Sequence, residues 1–98
     1  MNNKVFFHPS SLIETDNIGD ETKIGAFCII KPGTKIGKRC LIKDNVSIDN
    51  NIIIGDDVTI LSGTRLKGNV EIKNHVIINE NIVFISHIDN NHKLDTDQ

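Results

Sequence analysis

An apolar residue stands at every sixth position from Phe6 to Phe84: Phe6, Leu12, Ile18, Ile24, Ile30, Ile36, Ile42, Ile48, Ile54, Ile60, Leu66, Ile72, Ile78 and Phe84. In a chain that is 38% hydrophobic, such an unbroken series would arise by chance about once in a million. Four residues after each member comes a second series, small or β-branched: Thr22, Cys28, Thr34, Cys40, Val46, Ile52, Val58, Thr64, Val70, Val76, Ile82 and Ile88. Only its first members, Ser10 and Asp16, depart from that pattern. Two inward residues separated by one outward residue make a short strand, because strand side chains alternate. Between the strands stand Gly19-Asp20-Glu21, Pro32-Gly33, Lys43-Asp44-Asn45, Asp49-Asn50-Asn51, Gly55-Asp56-Asp57 and Gly68-Asn69, which suit tight or left-handed backbone. Each hexad is therefore one side of a coil.

A six-residue period does not fit the 3.6 residues of a helical turn, and a flat antiparallel sheet would need a hairpin after every three residues. Three hexads closing a triangular coil satisfy the spacing. The expected fold is all-β, a single-stranded parallel β-helix of four to five coils, each of 18 residues. It forms one domain over residues 1–98, with repeats over 6–88 and a polar tail over 89–98. The coil length sorts the outward positions onto three sides. One side carries Leu41, Lys43, Thr59, Leu61, Ile77 and Asn79. A second carries Ile29, Lys31, Ser47, Asp49, Arg65, Lys67, Val83 and Ile85. The third carries Asn17, Gly19, Lys35, Gly37, Ile53, Gly55, Glu71 and Lys73. The first is the most apolar across its middle coils, which points to association through Leu41, Thr59, Leu61 and Ile77, expected to form a homotrimer.

Size and charge narrow the partners. A 98-residue chain buries a modest fraction of its surface, which favours association. The formal charge is −2, with basic and acidic residues intermixed, so no basic stripe suggests nucleic acid. No apolar run is long enough to span a membrane and no export signal precedes the repeats, so the expected location is the cytoplasm. Cys28 and Cys40 are then expected to be reduced, small core residues.

Beyond the bare hexad, the segments Phe7-His8-Pro9-Ser10-Ser11, Ile18-Gly19-Asp20-Glu21-Thr22-Lys23-Ile24, Ala26-Phe27-Cys28, Pro32-Gly33-Thr34-Lys35-Ile36-Gly37-Lys38 and Ile54-Gly55-Asp56-Asp57-Val58-Thr59-Ile60 resemble the hexapeptide-repeat acyltransferases. Within them, the chain is similar to the sugar-nucleotide 3-N-acetyltransferases of bacterial surface polysaccharide (O-antigen lipopolysaccharide and S-layer) biosynthesis. The resemblance implies a left-handed β-helix, a homotrimer, acetyl-CoA as acyl donor and a nucleotide-linked amino sugar as acceptor. The chain departs from that family at Gly25, where a Trp is common, and at Ile29, where a His is common. In the resembling enzymes further hexapeptide coils after the strand matching Val83-Phe84-Ile85 line the acetyl-CoA groove; this chain is expected to lack them, as a truncated or partial enzyme would.

Acyl transfer to an amine needs a base, and imidazole titrates in the right range. His87, three residues after Phe84 and at a corner, is the first candidate; it occupies the place where the resembling enzymes carry a polar residue. His75 lies two sides earlier, so the two could meet only across a subunit boundary. A zinc site is testable by spacing. His87 and His92 are five apart, but the position 36 residues before His87 is Asn51, a poor ligand; no metal is expected. His8, next to Pro9, reads as structural. The alternative to an enzyme is a non-catalytic trimeric β-helix scaffold, or a module that needs a partner chain.

Overall fold

The computed structural model describes residues 4–86 and 92–94. The first coil holds β1 (Phe6–Phe7) and β2 (Leu12–Ile13), and its third side is a single bridge from Ile18 to Ile36. The second coil holds β3 (Lys23–Ile24), β4 (Ile29–Ile30) and β5 (Lys35–Ile36). The third holds β6 (Leu41–Ile42), β7 (Ser47–Ile48) and β8 (Ile53–Ile54). The fourth holds β9 (Thr59–Ile60), β10 (Arg65–Gly68) and β11 (Val70–Ile72). Last come β12 (Ile77–Ile78), β13 (Val83–Ser86) and β14 (His92–Leu94). Three parallel sheets result, in the orders β1-β3-β6-β9-β12, β2-β4-β7-β10-β13 and β5-β8-β11-β14. Successive partners from the second coil to the fourth are 18 residues apart, as in Ile30↔Ile48 and Ile42↔Ile60. The parallel β-helix and its three sides are therefore as the hexad predicts.

Hydrogen bonding explains why short strands suffice. Along the sides, N–H groups donate to the following coil: Lys23 to the Cys40 carbonyl, Leu41 to Val58 and Thr59 to Val76, each at 2.9 Å. The next N–H of a strand can point the other way, as Ile36 donates to the Asn17 carbonyl of the preceding coil at 2.9 Å, and the left-handed corners use this second direction. Arg39, Asn45, Asp57, His75 and Asn81 donate to carbonyls of the preceding coil, on Asp20, Ala26, Lys38, Asp56 and Ser62, at 2.8–2.9 Å. These same corner residues have positive φ, between 56° and 65°. The left-handed turn is what aims their N–H back down the stack. For residues other than Gly and Asn that conformation costs about 1 kcal/mol, so the returned hydrogen bond offsets a real strain at Glu21, Phe27, Arg39, Asp57 and His75.

The axis is filled by the Ile columns, with Ile30, Ile48, Ile52 and Ile60 fully buried. Thr22, Thr34 and Thr64 are buried too, and they do more than fill space. The Thr34 hydroxyl donates to the Asp49 carbonyl at 2.6 Å and accepts the Ile52 N–H at 3.2 Å, and Thr22 and Thr64 repeat the pattern. Cys28 and Cys40 occupy the same position of their hexads, on two different sides, and donate S–H to the carbonyls of Lys43 and Gly55, at 2.9 and 3.1 Å. Burial pushes both thiols up from their ordinary pKa, which suits inert core groups.

Both ends of the repeat depart from the sequence reading. In the first coil, Phe7 pairs with Ile24 and Ile13 with Ile30, a spacing of 17. By register Phe7 and Ile13 therefore take the places of the core columns and Phe6 and Leu12 point outward; Ile13 packs against the core, while Phe7, at the open end of the stack, is 55% exposed. Their fit to the six-residue series is a coincidence of adjacent apolar residues. Ser11 takes the second-series place expected of Ser10: its hydroxyl donates to the Gly25 carbonyl and accepts the Cys28 N–H. The shortened corner is held by Thr15, which donates to the Thr34 carbonyl and accepts the Asn17 N–H. At the other end, Val70, Glu71 and Ile72 pair with His92, Lys93 and Leu94 at a spacing of 22. Residues 92–94, expected in the polar tail, thus extend the third sheet; Ile88 lies outside the described residues. Among the described residues no helix is long and apolar enough to cross a membrane.

Ile54 is 2% exposed between Ile36 and Ile72 in its column. We expect Ile54→Ala to cost about 2–5 kcal/mol, measured by urea unfolding; an unchanged midpoint would be incompatible with this packing.

Candidate functional site

The residues expected to carry chemistry fall into four places. His87 lies outside the described residues. The strands on either side of it are described, and they bracket an excess of chain. β13 follows β10 at a spacing of 18, whereas β14 follows β11 at 22, so four residues beyond the coil repeat lie between Ser86 and His92. The excess falls at the corner between the second and third sides.

His75 stands at a different corner, between the third and first sides, in a column whose earlier members, Glu21, Arg39 and Asp57, alternate in charge. Glu21, Arg39, Asp57 and His75 follow one another at 18-residue intervals, all with positive φ. Arg39 grips Asp57 with two hydrogen bonds, from Nε at 2.8 Å and from a terminal nitrogen at 3.0 Å. The His75 Nδ1 lies 3.8 Å from Oδ2 of the same carboxylate, the oxygen that also accepts the terminal nitrogen of Arg39, with its side chain 72% exposed. The hydrogen bonds from Arg39 hold the Asp57 carboxyl below the usual carboxylate range, and the same contact raises the Arg39 guanidinium. His75 is thus engaged within its own corner column.

His8, read as structural, has a definite role. Its Nδ1 accepts the Ser10 N–H at 3.0 Å and lies 2.8 Å from the Ser10 Oγ. That oxygen accepts the Phe27 N–H at 2.9 Å, and the His8 and Phe27 rings approach to 6.4 Å between centroids. Phe27 is a left-handed corner residue, and Ser10 supplies the acceptor for its N–H. The two segments that distinguish the sugar acetyltransferase resemblance, His8-Pro9 and Ala26-Phe27-Cys28, are therefore neighbours in space. Among the described residues no three His, Cys, Asp or Glu side chains are grouped to hold a metal ion.

The residues expected at a subunit contact share one side. Leu41, Thr59 and Ile77 form one outward row, through the pairings Leu41↔Thr59 and Ile77↔Thr59. Leu61 lies two residues beyond Thr59 and is half-buried. Ile77 is 69% exposed and Leu41 38%. The row continues through Lys23 to Phe6. Phe6 is the apolar member that sequence reasoning missed, because the series assigned it to the core. The signal available was Ser10 and Asp16, whose misfit already marked a shift in the first coil.

Residues 17–50, about a third of the chain, match the family described as bacterial transferase hexapeptide (six repeats). That match and the parallel β-helix support the hexapeptide-repeat β-helix family. No curated protein matches the chain at a significant level.

A depressed carboxyl pKa in the folded state adds stability that is complete above the unfolded value and is lost as pH falls through the folded one. The contribution of Asp57 should therefore be complete above the ordinary carboxylate range and disappear on acidification below it, as pH falls through the lowered folded-state value. Asp57→Asn is expected to flatten that part of the stability-against-pH curve and to leave its neutral and alkaline limb parallel to that of the unsubstituted protein. Parallel acid limbs in chemical unfolding would remove the electrostatic role of this pair.

Proposed function

We propose that the chain is an acyltransferase-type hexapeptide-repeat subunit that transfers an acetyl group from acetyl-CoA to the amine of a nucleotide-linked amino sugar, working as a homotrimer in the cytoplasm. The observation that carries this reading is the four-residue excess between β13 and β14. A coil closes without those residues, as the three preceding coils do, so the addition serves something other than closure. Loops displayed on a rigid scaffold are where binding and catalytic groups concentrate, and His87 belongs to that stretch. The match of residues 17–50 to a transferase repeat family supports the acyl-transfer class. The choice of donor and acceptor rests on the sequence resemblance, and the contact between its two distinguishing segments supports it.

In this reading, the acceptor amine attacks the acetyl carbonyl, His87 takes the amine proton, and the proton passes to the departing thiol. His75 cannot assist within one subunit, because its corner is not the one that carries the added residues. The homotrimer would pack the row of Leu41, Thr59 and Ile77, with Leu61 beside it, against the neighbouring subunits. Phe6 extends the same apolar strip at the first coil.

A second reading, a non-catalytic trimeric scaffold or a module completed by a partner chain, is favoured by one observation. The described histidines, His8 and His75, occupy different corners, His8 hydrogen-bonded to Ser10 and His75 facing the Asp57 carboxylate at 3.8 Å.

Calorimetry with acetyl-CoA separates the two. Saturable binding at millimolar ligand or below is expected, and its absence would leave the scaffold reading. In a sugar acetylation assay, His87→Ala should lower kcat by about 10²–10⁴-fold, while His75→Ala stays near the unsubstituted rate. Ile77→Asp, which puts a charge on the proposed contact, should convert trimers to monomers in sedimentation velocity; monomers before substitution would refute the trimer.

A further inference from the structure

We infer that the side formed by β4, β7, β10 and β13 carries a binding site for a phosphoryl anion, of the phosphate monoester or diphosphate class, held by Lys31, Arg65 and Lys67. A groove of about 260 Å³ runs across this side, lined by Lys31, Ser47, Asp49, Arg65, Leu66 and Lys67. Its concavity has a simple cause. Ser47 stands between Ile29 and Arg65 in the outward row, and its short side chain leaves the space between two longer ones open.

Three cations face this groove against one carboxylate. Among the described residues none of the three forms an ion pair, and the Asp49 carboxylate accepts the Asn50 N–H at 2.9 Å, toward the corner. The corner column of Glu21, Arg39 and Asp57 alternates in sign and pairs its charges. On the second side Arg65 and Lys67 share one strand face, roughly 7 Å apart at the backbone, and Asp49 stands between Lys67 and Lys31 in the adjoining row, which places Lys31 two coils, about 10 Å, from Lys67. Side chains of this length can bring their heads onto one anion. A doubly charged phosphoryl group balances the positive charge that Asp49 leaves uncompensated, and the guanidinium of Arg65 supplies the paired donors such oxygens accept.

This inference is independent of acyl transfer, because its probe carries no acyl group. The intact chain would be titrated with inorganic diphosphate and, in parallel, inorganic phosphate, followed by amide shifts in ¹H–¹⁵N spectra. Saturable shifts are expected at Lys31, Ser47, Arg65 and Lys67, with diphosphate the tighter ligand. Arg65→Ala combined with Lys67→Ala should weaken binding at least about tenfold. Lys35→Ala combined with Lys73→Ala makes the same charge change on the third side and should leave affinity unchanged. Equal losses in the two pairs, or unsaturable shifts spread over all lysines, would overturn the site; spectral dispersion reports whether each variant is folded.

Discussion

Backbone hydrogen bonding between coils is the constraint on which the other features depend. A strand of two residues has no stability of its own. It persists here because its N–H groups donate to the coils on both sides, as Lys35 does to Ile52 and Ile36 to Asn17, while the left-handed corner N–H groups donate to the previous coil. Both directions require each coil to return the chain to the same phase. That requirement keeps the Ile columns in line, stacks the corners and places outward residues in rows. It also selects left-handed backbone at the corners, even for Phe27, Arg39 and His75, which carry a steric cost there.

Side chains reinforce the ladder where the backbone leaves it incomplete. A buried threonine or cysteine in the second column gives its proton to a corner carbonyl of the following coil, and the threonines also accept an N–H there. Asp44 and Asp56 accept the N–H groups of Ala26 and Lys38 from the coil below, and Asn74 does the same for Asp56. These residues look like ordinary polar turn formers in the sequence. In the stack they link one coil to another, so a corner residue is selected by a neighbour 18 positions away as much as by its own turn.

A scaffold this regular makes its interruptions informative. The first coil has lost one residue at the corner spanned by Thr15, and the last has gained four after Ser86. The loss is repaired locally, through Thr15 and through Ser11 in the place of a column threonine, and its main consequence is to turn Phe6 and Leu12 outward. The gain is different in kind, because the paired strands resume beyond it with their registers intact. One interruption reshapes a surface, and the other adds chain to a corner.

The sequence by itself determined the parallel β-helix, the 18-residue coil and the membership of its three sides. Those properties depend only on a period repeated from Ile18 to Ile78, and every turn of the repeat restates it. The inward role of Ile30, Ile42 and Ile54 was legible for that reason, and so was the outward row of Leu41, Thr59 and Ile77. Tertiary structure alone decided the phase of the first coil, because Phe6-Phe7 and Leu12-Ile13 are pairs of adjacent apolar residues that fit either register. It also decided the added length before β14, the contact of His8 and Ser10 with Phe27, and the groove over Ser47. Each depends on which residues meet across coils, and that is fixed by interchain-like pairing between distant segments of one chain, which a local pattern does not specify once the period is broken.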